Sequence, residues 1–311
     1  MCENFLSILR LLKISHQGVS LGPNKKKFNR IQIMASLNFT KMHGCGNDFV
    51  VVNAFKENLP EDLPTLAKKM CLRRFAVGAD QFIVIGPAED KAADFRMDIL
   101  NADGSKVEMC GNALRCAAVY AKREGLVEDD EVGIETMAGL SVCWIQESGD
   151  VRIAVAVPST EPKDIGLKSE HPLFGTPLRV NEYNYPMTTV SVGNPHAVTY
   201  VDDLDSLDLG TIGPRYENHE IFANRANIEF VQIVDKTRVK MRVWERGSGE
   251  TLACGSGACA VGVASILHGL TNHLLTVELR GGDLEIEWAG RGEAVYMTGS
   301  ATFVFDSSWE L

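Results

Sequence analysis

The chain is expected to be an α+β protein built from two pseudo-symmetric α/β domains, related by internal duplication and facing each other across a cleft that holds the active site. Three observations lead there. The stretch Cys110-Gly111-Asn112-Ala113-Leu114-Arg115-Cys116 recurs as Cys254-Gly255-Ser256-Gly257-Ala258-Cys259. Each copy runs into an Ala-rich apolar segment that closes on Gly-Leu, at Gly125-Leu126 and at Gly269-Leu270. The same shift of 144 residues lays the alternating positions Phe95, Met97 and Ile99 on Val239, Met241 and Val243, and the polar loop 101–105 on 245–249. One repeated dipeptide would be chance. A strand, a loop, a cysteine and a glycine-ended helix in register without a gap indicate duplication.

The elements follow in order. Residues 39–53 read as strand, tight loop and strand, with Phe49-Val50-Val51-Val52 short and buried. Residues 64–74 predict a helix, with Pro64 near its start and Leu66 and Met70 on one face. Phe82-Ile83-Val84-Ile85 is another apolar strand, and residues 94–100 alternate cleanly. Residues 112–124 predict a helix that Gly125 ends. Strands over 132–134, 140–145 and 151–157 complete the first half, and the Pro-rich stretch 158–175 is the expected crossing. The second half repeats the order, with Gly193-Asn194 equivalent to Gly46-Asn47 at a shift of 147. Its strands are expected near 190–201, 228–234, 238–244, 276–279 and 284–288, with a hairpin at Gly281-Gly282-Asp283. The expected domains are 35–155 and 156–299, with the last strand, within 300–311, returning to the first.

Composition narrows the function. The net charge is −10 and no basic face is evident in the body of the chain, which argues against nucleic acid or an acidic membrane surface as partner. No apolar run approaches membrane-spanning length. Residues 1–33 carry a net charge of +5, leaving −15 for the remainder. Two readings of that extension stand: an acid-poor transit peptide, or a dispensable extension with Met34-Ala35-Ser36 as the working start. The second is preferred. The eight cysteines include no C-x2-C pair, so a disulfide scaffold, a zinc ribbon and a thioredoxin-type motif all fit poorly. A reducing compartment is expected: the cytoplasm, or a plastid if the extension is a transit peptide.

The duplicated cysteines carry the chemistry. Small residues after Cys110 and Cys254 let backbone N–H groups approach a ligand, and a helix starting there aims its positive end at the same point. Such a setting lowers a thiol from about 8.5 to roughly 3.5–7.5 and binds a carboxylate. Two such sites face to face would hold an α-carboxylate with one sulfur on each side of its α-carbon. That arrangement suits proton exchange with inversion, one cysteine as thiolate base and the other as thiol acid. It needs no cofactor, no PLP-type lysine and no metal. Cys71, Cys116, Cys143 and Cys259 read as structural thiols.

These motifs, with Lys41 to Phe49, Gly78-Ala79-Asp80-Gln81, Gly193-Asn194-Pro195-His196, residues 245–251 and Tyr296-Met297-Thr298-Gly299, give a sequence that closely resembles diaminopimelate epimerase from about Leu37 to Phe305. The resemblance implies a PLP-independent epimerase interconverting LL- and meso-2,6-diaminopimelate in lysine and peptidoglycan biosynthesis, usually a homodimer. It implies Cys110 and Cys254 as the acid/base pair. It implies substrate contacts from Asn47, Gln81, Asn101, Asn194, Asn227, Glu245 and Arg246, and from the backbones of Gly111, Asn112, Gly255 and Ser256. His196 and Glu245 match positions that tune the cysteines. A substrate with two amino-acid ends suits Arg246 for a carboxylate and Asn or Glu oxygens for ammonium groups. Two positions depart from the family: Cys45 stands where Leu is usual, and Ala113 where Gly is usual. Cys45 is expected near the site, adding sensitivity to oxidation. Two rivals remain, another two-cysteine racemase such as a proline racemase, and a dithiol redox or metal-binding protein.

Overall fold

The computed structural model describes residues 36–311. The extension expected over 1–34, and both readings of it, lie outside those residues. The first half runs β1 (Ser36–Gly44), β2 (Asn47–Asn53), α1 (Leu63–Met70), β3 (Gln81–Gly86), β4 (Phe95–Asn101), β5 (Lys106–Val107), α2 (Gly111–Arg123), β6 (Glu131–Thr136), β7 (Gly139–Ile145) and β8 (Val151–Ala156). A crossing segment holds the short α3 (Pro162–Ile165) and β9 (Thr176–Val180). The second half runs β10 (Tyr183–Ser191), β11 (Pro195–Tyr200), α4 (Leu209–Glu217), β12 (Asn227–Ile233), β13 (Arg238–Glu245), β14 (Gly249–Glu250), α5 (Gly255–Leu267), β15 (Leu274–Leu279), β16 (Gly282–Trp288) and β17 (Val295–Gly299), and β18 (Thr302–Glu310) ends the chain.

Strand pairing repeats as the sequence does. In the first half β1–β2 and β3–β4 are antiparallel while β2–β3 and β4–β6 are parallel. In the second, β10–β11 and β12–β13 are antiparallel while β11–β12 and β13–β15 are parallel. Parallel neighbours need a crossover, and the four helices α1, α2, α4 and α5 supply them. The antiparallel meanders β6–β7–β8 and β15–β16–β17 then join, because β8 pairs with β17. Two strands are placed alike but come from different parts of the chain: β9 flanks β10, and β18 flanks β1. The result is a two-domain mixed-sheet fold with few helices.

The helices differ in what they bury. α2 and α5 share one apolar core with the meanders, and Ala113, Ala117, Ala118, Ala121, Ala258, Ala260 and Ala264 keep their surfaces small where they pack. α1 covers the outer face of the first half with Leu66, Ala67 and Met70. α4 covers the second with Leu209, Ile212 and Tyr216. α4 is the repeat of α1, yet it has no helical signature. Gly210, Gly213 and Pro214 are weak helix formers. Burial and the cap from Asp208, which accepts from the Thr211 N–H at 3.3 Å, hold it instead. The β1–β2 hairpin closes on Cys45 and Gly46, both at positive φ (51° and 79°), the geometry of a type I′ turn. Its tip lies on the β15–β16 turn, where a Cβ on Gly281 would fall 1.9 Å from the Cys45 carbonyl oxygen.

Candidate active site

Cys110 and Cys254 are the N-cap residues of α2 and α5, both in extended backbone geometry. One methionine joins the two helix starts. A Cβ on Gly111 would meet the Met297 methyl at 2.8 Å, and one on Gly255 would meet it at 3.1 Å. Both helices therefore begin on either side of a single side chain, and glycine at each first position is what allows that approach. Both cysteines open onto one cavity of about 980 Å³.

The halves build matching surroundings for each sulfur. In the first, Cys110 Sγ meets Asn47 Oδ1 at 3.6 Å, and Asn112 Nδ2 donates to the same oxygen at 3.2 Å. Asn47 Nδ2 donates to Asp80 at 3.0 Å. In the second, Cys254 Sγ lies 3.5 Å from Ser256 Oγ and accepts from the Gly257 N–H at 3.4 Å. Asn194 Nδ2 donates to Ser256 Oγ at 3.3 Å. Each Gly-Asn turn thus reaches the residue two past its cysteine.

Of the residues singled out by sequence, Asn47, Gln81, Cys110, Gly111, Asn112, Asn194, Glu245, Cys254, Gly255 and Ser256 line the cavity. Asn101, His196, Asn227 and Arg246 do not. Asn101 accepts from Gln81 Nε2 at 3.1 Å and so orients a side chain that does face the cavity. Asn227 is buried, donates to the Pro195 carbonyl at 2.9 Å and accepts from the Arg246 N–H at 2.9 Å. The Arg246 side chain turns away, its Nη1 donating to the Asn224 carbonyl at 3.3 Å. Arg73 and Arg280 are the guanidinium groups on the cavity wall, where Arg73 pairs with Asp48 and Asp80, and Arg280 with Glu250. Nothing in the spacing of the sequence marked those two, because each is brought in by a turn far along the chain.

His196 is fully buried, and both ring nitrogens are engaged, Nδ1 with Glu229 at 2.6 Å and Nε2 with Asn194 Oδ1 at 2.9 Å. Its hydrogen bonds reach toward Cys254 through Asn194 and Ser256, and its other partner, Glu229, bears on Cys254 by charge. Glu229 was not singled out by sequence; it sits on β12 as one of several polar positions in an apolar strand. Burial pushes its carboxyl up, against the opposing pull of His196. Glu217 is the other omission. Its carboxylate accepts from the Gly247 N–H at 2.8 Å, Trp244 Nε1 at 2.8 Å and Arg225 Nη1 at 2.9 Å. It thereby ties α4 to the loop carrying Glu245 and Arg246.

The electrostatics correct one expectation. Both thiols lie above the ordinary cysteine range, not below it. Burial pushes Cys110 up; the N–H groups of Ala113 and Asn112 and the Arg115 charge pull the other way, and Glu245 adds to the rise. Burial pushes Cys254 further, with Glu245 and Glu229 adding to it and only Ser256 and the Gly257 N–H opposing. The helix N-termini act in the direction expected of them, but desolvation outweighs them. Cys116, Cys143, Cys259 and Cys71 are buried and pushed up to about 12, as structural thiols should be. Cys45 stands beside the site, next to Gly46 on the cavity wall, but is itself buried with its thiol raised by burial, a setting that disfavours the exposed thiolate that oxidation requires. Among the described residues no cluster of three or more His, Cys, Asp or Glu side chains is placed to hold a metal, and no helix is long and apolar enough to cross a membrane.

Known proteins share this sequence and fold. A family model described as "Diaminopimelate epimerase" matches residues 39–161 and 188–304, one segment in each half. The diaminopimelate epimerase of Acetivibrio thermocellus is 45% identical over 280 residues, covering 88% of this chain and 99% of its own. That of Moorella thermoacetica is 46% identical over 280 residues, covering 88% of this chain and 100% of its own. Among solved structures, a PhzF-family phenazine biosynthesis protein of Bacillus anthracis superposes with a TM-score of 0.63 at 20% identity, covering 89% of this chain and all of its own. A hydroxyproline epimerase of Agrobacterium vitis gives 0.62 at 15% identity, covering 88% and 92%. At such identities the structural likeness speaks for the fold alone. The sequence matches run through both halves and take in nearly the whole of each relative, so the chain belongs to the diaminopimelate epimerase family.

Proposed function

We propose that this enzyme interconverts LL- and meso-2,6-diaminopimelate, a step toward lysine and peptidoglycan precursors, with Cys110 and Cys254 as the two acid/base groups. The observation that carries the reading is the pair of cysteine-capped helix starts held about Met297 and open to one cavity. A substrate α-carboxylate lies between the two helix starts, facing the N–H groups of Gly111 and Asn112 on one side and of Gly255 and Ser256 on the other. One cysteine, as thiolate, takes the α-proton. The C–H electron pair passes into the carboxylate, where the N–H donors stabilise it, each by on the order of 100- to 1,000-fold in rate. The opposite cysteine, as thiol, delivers a proton to the other face. The configuration inverts, the two sulfurs exchange roles, and proton exchange with solvent resets them.

Asn47, Gln81, Asn194 and Glu245 are proposed to bind the substrate's polar groups, with Asn101 and Asn227 holding Gln81 and Arg246 in place. Arg246 takes the distal carboxylate by leaving the Asn224 carbonyl. His196 and Glu245 tune Cys254, His196 through Asn194. A cavity rimmed by Arg73, Glu108, Glu245, Glu250 and Arg280 supports a substrate charged at both ends over a prolyl ring. A homodimer is also proposed: Val304 and Phe305 stand about half exposed on β18, at 52% and 46%, apolar area that a second copy would cover. Sedimentation as a monomer at micromolar concentration would remove that part. The proposed home is a reducing compartment, the cytoplasm, because all seven described cysteines are free thiols.

The test is incubation with LL-diaminopimelate in D2O. Deuterium should appear on the α-carbon of the meso product, and Cys110→Ala or Cys254→Ala should abolish net epimerisation. Turnover of proline without diaminopimelate would overturn the substrate. Full epimerase activity after Cys→Ser at either position would overturn the two-base reading, and stoichiometric metal in the purified protein would favour the dithiol reading.

A further inference from the structure

The duplication breaks at Arg115. At the shift of 144 residues its place in the second half is taken by Cys259. Arg115 is fully buried. Its Nε donates to the Ser300 carbonyl at 3.2 Å, its Nη2 donates to Asn112 Oδ1 at 2.8 Å and faces Cys45 Sγ at 3.7 Å, and its Nη1 faces Met297 Sδ at 4.0 Å. None of these partners is a carboxylate, so the charge is solvated by dipoles and sulfur alone. The fold leaves room for it: a Cβ on Gly44 would lie 3.1 Å from the guanidinium and one on Gly299 3.4 Å. A buried cation without a counter-ion is costly, and a packed apolar side chain would be the stable choice.

The grip of Arg115 on Asn112 leads to the cysteine. Asn112 donates to Asn47 Oδ1, the atom that Cys110 Sγ also meets. The charged or titratable groups that bear on Cys110 are Arg115 on its own helix, the Cys116 thiol behind it and Glu245 from the end of β13 across the cavity. Asp80, which accepts from Asn47 Nδ2, and Glu108, Arg73, Glu250 and Arg280 also line the cavity. Those that bear on Cys254 are Glu245 and Glu229, with His196 beyond Glu229. Asp283 and Asp150 act on Cys45. Glu245 thus bears on both sulfurs, Arg115 is a cation named for Cys110 and not for Cys254, and Glu229 is a second carboxylate named for Cys254 and not for Cys110.

We propose that Arg115 is a positioning residue that holds the Asn112–Asn47–Cys110 array and makes Cys110 the first of the two sulfurs to ionise, leaving Cys254 as the thiol. This rests on the two-base reading and adds the direction in which the enzyme is primed. The isomer whose α-proton faces Cys110 reacts with the singly ionised enzyme directly; the other waits for the proton to move between the sulfurs through solvent.

The test reads each thiol without substrate. Wild type, Arg115→Met and Arg115→Lys are treated with iodoacetamide across a pH series, and carbamidomethylation of the Cys110 and Cys254 peptides is followed by mass spectrometry. Each sulfur's pH inflection is compared with its own, which removes differences in access. Cys110 should inflect at lower pH than Cys254 in wild type. Arg115→Met should slow Cys110 alkylation near neutral pH about tenfold, the equivalent of one pH unit in thiol titration, and leave Cys254 unmoved. Arg115→Lys should recover most of that loss. Inflection of Cys254 first, or coincident inflections, would overturn the proposal, as would an unmoved Cys110 profile in an Arg115→Met protein that melts cooperatively. If Arg115→Met does not fold, the wild-type order and its retention in Arg115→Lys decide. An enzyme that fails to turn over diaminopimelate still yields these profiles, so the two readings fail separately.

Discussion

Replacing Glu217 with alanine should loosen the loop carrying Glu245 and Arg246 from outside the cavity. The carboxylate holds three donors, and they are not equal. The Arg225 side chain is about half exposed, at 51%, so its ion pair contributes little. The bonds from the Gly247 N–H and Trp244 Nε1 are partly buried, and each hydrogen bond to a charged acceptor is worth roughly 1.5 kcal/mol or more. Glu217→Ala should therefore cost about 3 kcal/mol, at the upper end of ordinary single substitutions. For a chain of this size that lowers Tm by roughly 5 °C. Because Gly247 follows Glu245 and Arg246, the freed loop should also raise KM for diaminopimelate, by about tenfold, with a smaller change in kcat. Urea unfolding and steady-state kinetics on the same preparation give both quantities. A loss below 1 kcal/mol would mean that these bonds are replaced by water. A full stability loss with KM unchanged would mean that α4 does not position the loop, and would refute the reasoning.

Three further outcomes are expected. Gly281→Ala should destabilise the protein by about 3 kcal/mol and lower activity, because its Cβ would fall 1.9 Å from the Cys45 carbonyl and force the two hairpin tips apart; a wild-type urea midpoint would contradict that contact. Burial would raise the Asp48 carboxyl, but hydrogen bonds and charge from Arg73 and Lys41 outweigh it and hold the group down, from the ordinary 3.8 to about 2. A depressed folded value means stability that is complete above the unfolded value and lost as pH falls through the folded one, so roughly 2 kcal/mol should disappear between about pH 5 and 2, and Asp48→Asn should be less stable at neutral pH and flatter across that window. Cys110 and Cys254 are both raised by burial and, in the proposed two-base mechanism, one must ionise to act as base, so kcat/KM should climb with pH across about 7 to 9; a flat profile there would argue against a thiolate base.

The duplication and the cysteine pair were legible in sequence because they are local. A helix cap, a glycine where backbone must approach closely and an alternating strand each leave a fixed spacing, and a shift of 144 residues lines them up twice. The cysteine-capped starts of α2 and α5, and the strands before them, needed no tertiary information. α4 shows the opposite case. With Gly210, Gly213 and Pro214 it has weak propensity of its own, and the burial of Leu209, Ile212 and Tyr216 against its sheet, with the cap from Asp208, makes it a helix.

Tertiary structure decided what reaches the cavity and what charge it brings. The Arg246 guanidinium, placed by motif, turns to the Asn224 carbonyl, while Arg73 and Arg280 arrive on the wall from distant turns. The thiols lie above the ordinary range, not below it, because a helix N-terminus is a property of a few residues but desolvation is a property of everything packed around them. Arg115 is the clearest instance. In the sequence it is one cation in a helix; only the fold buries it among Asn112, Met297, Cys45 and Ser300, without a carboxylate, behind one of two otherwise matching sulfurs.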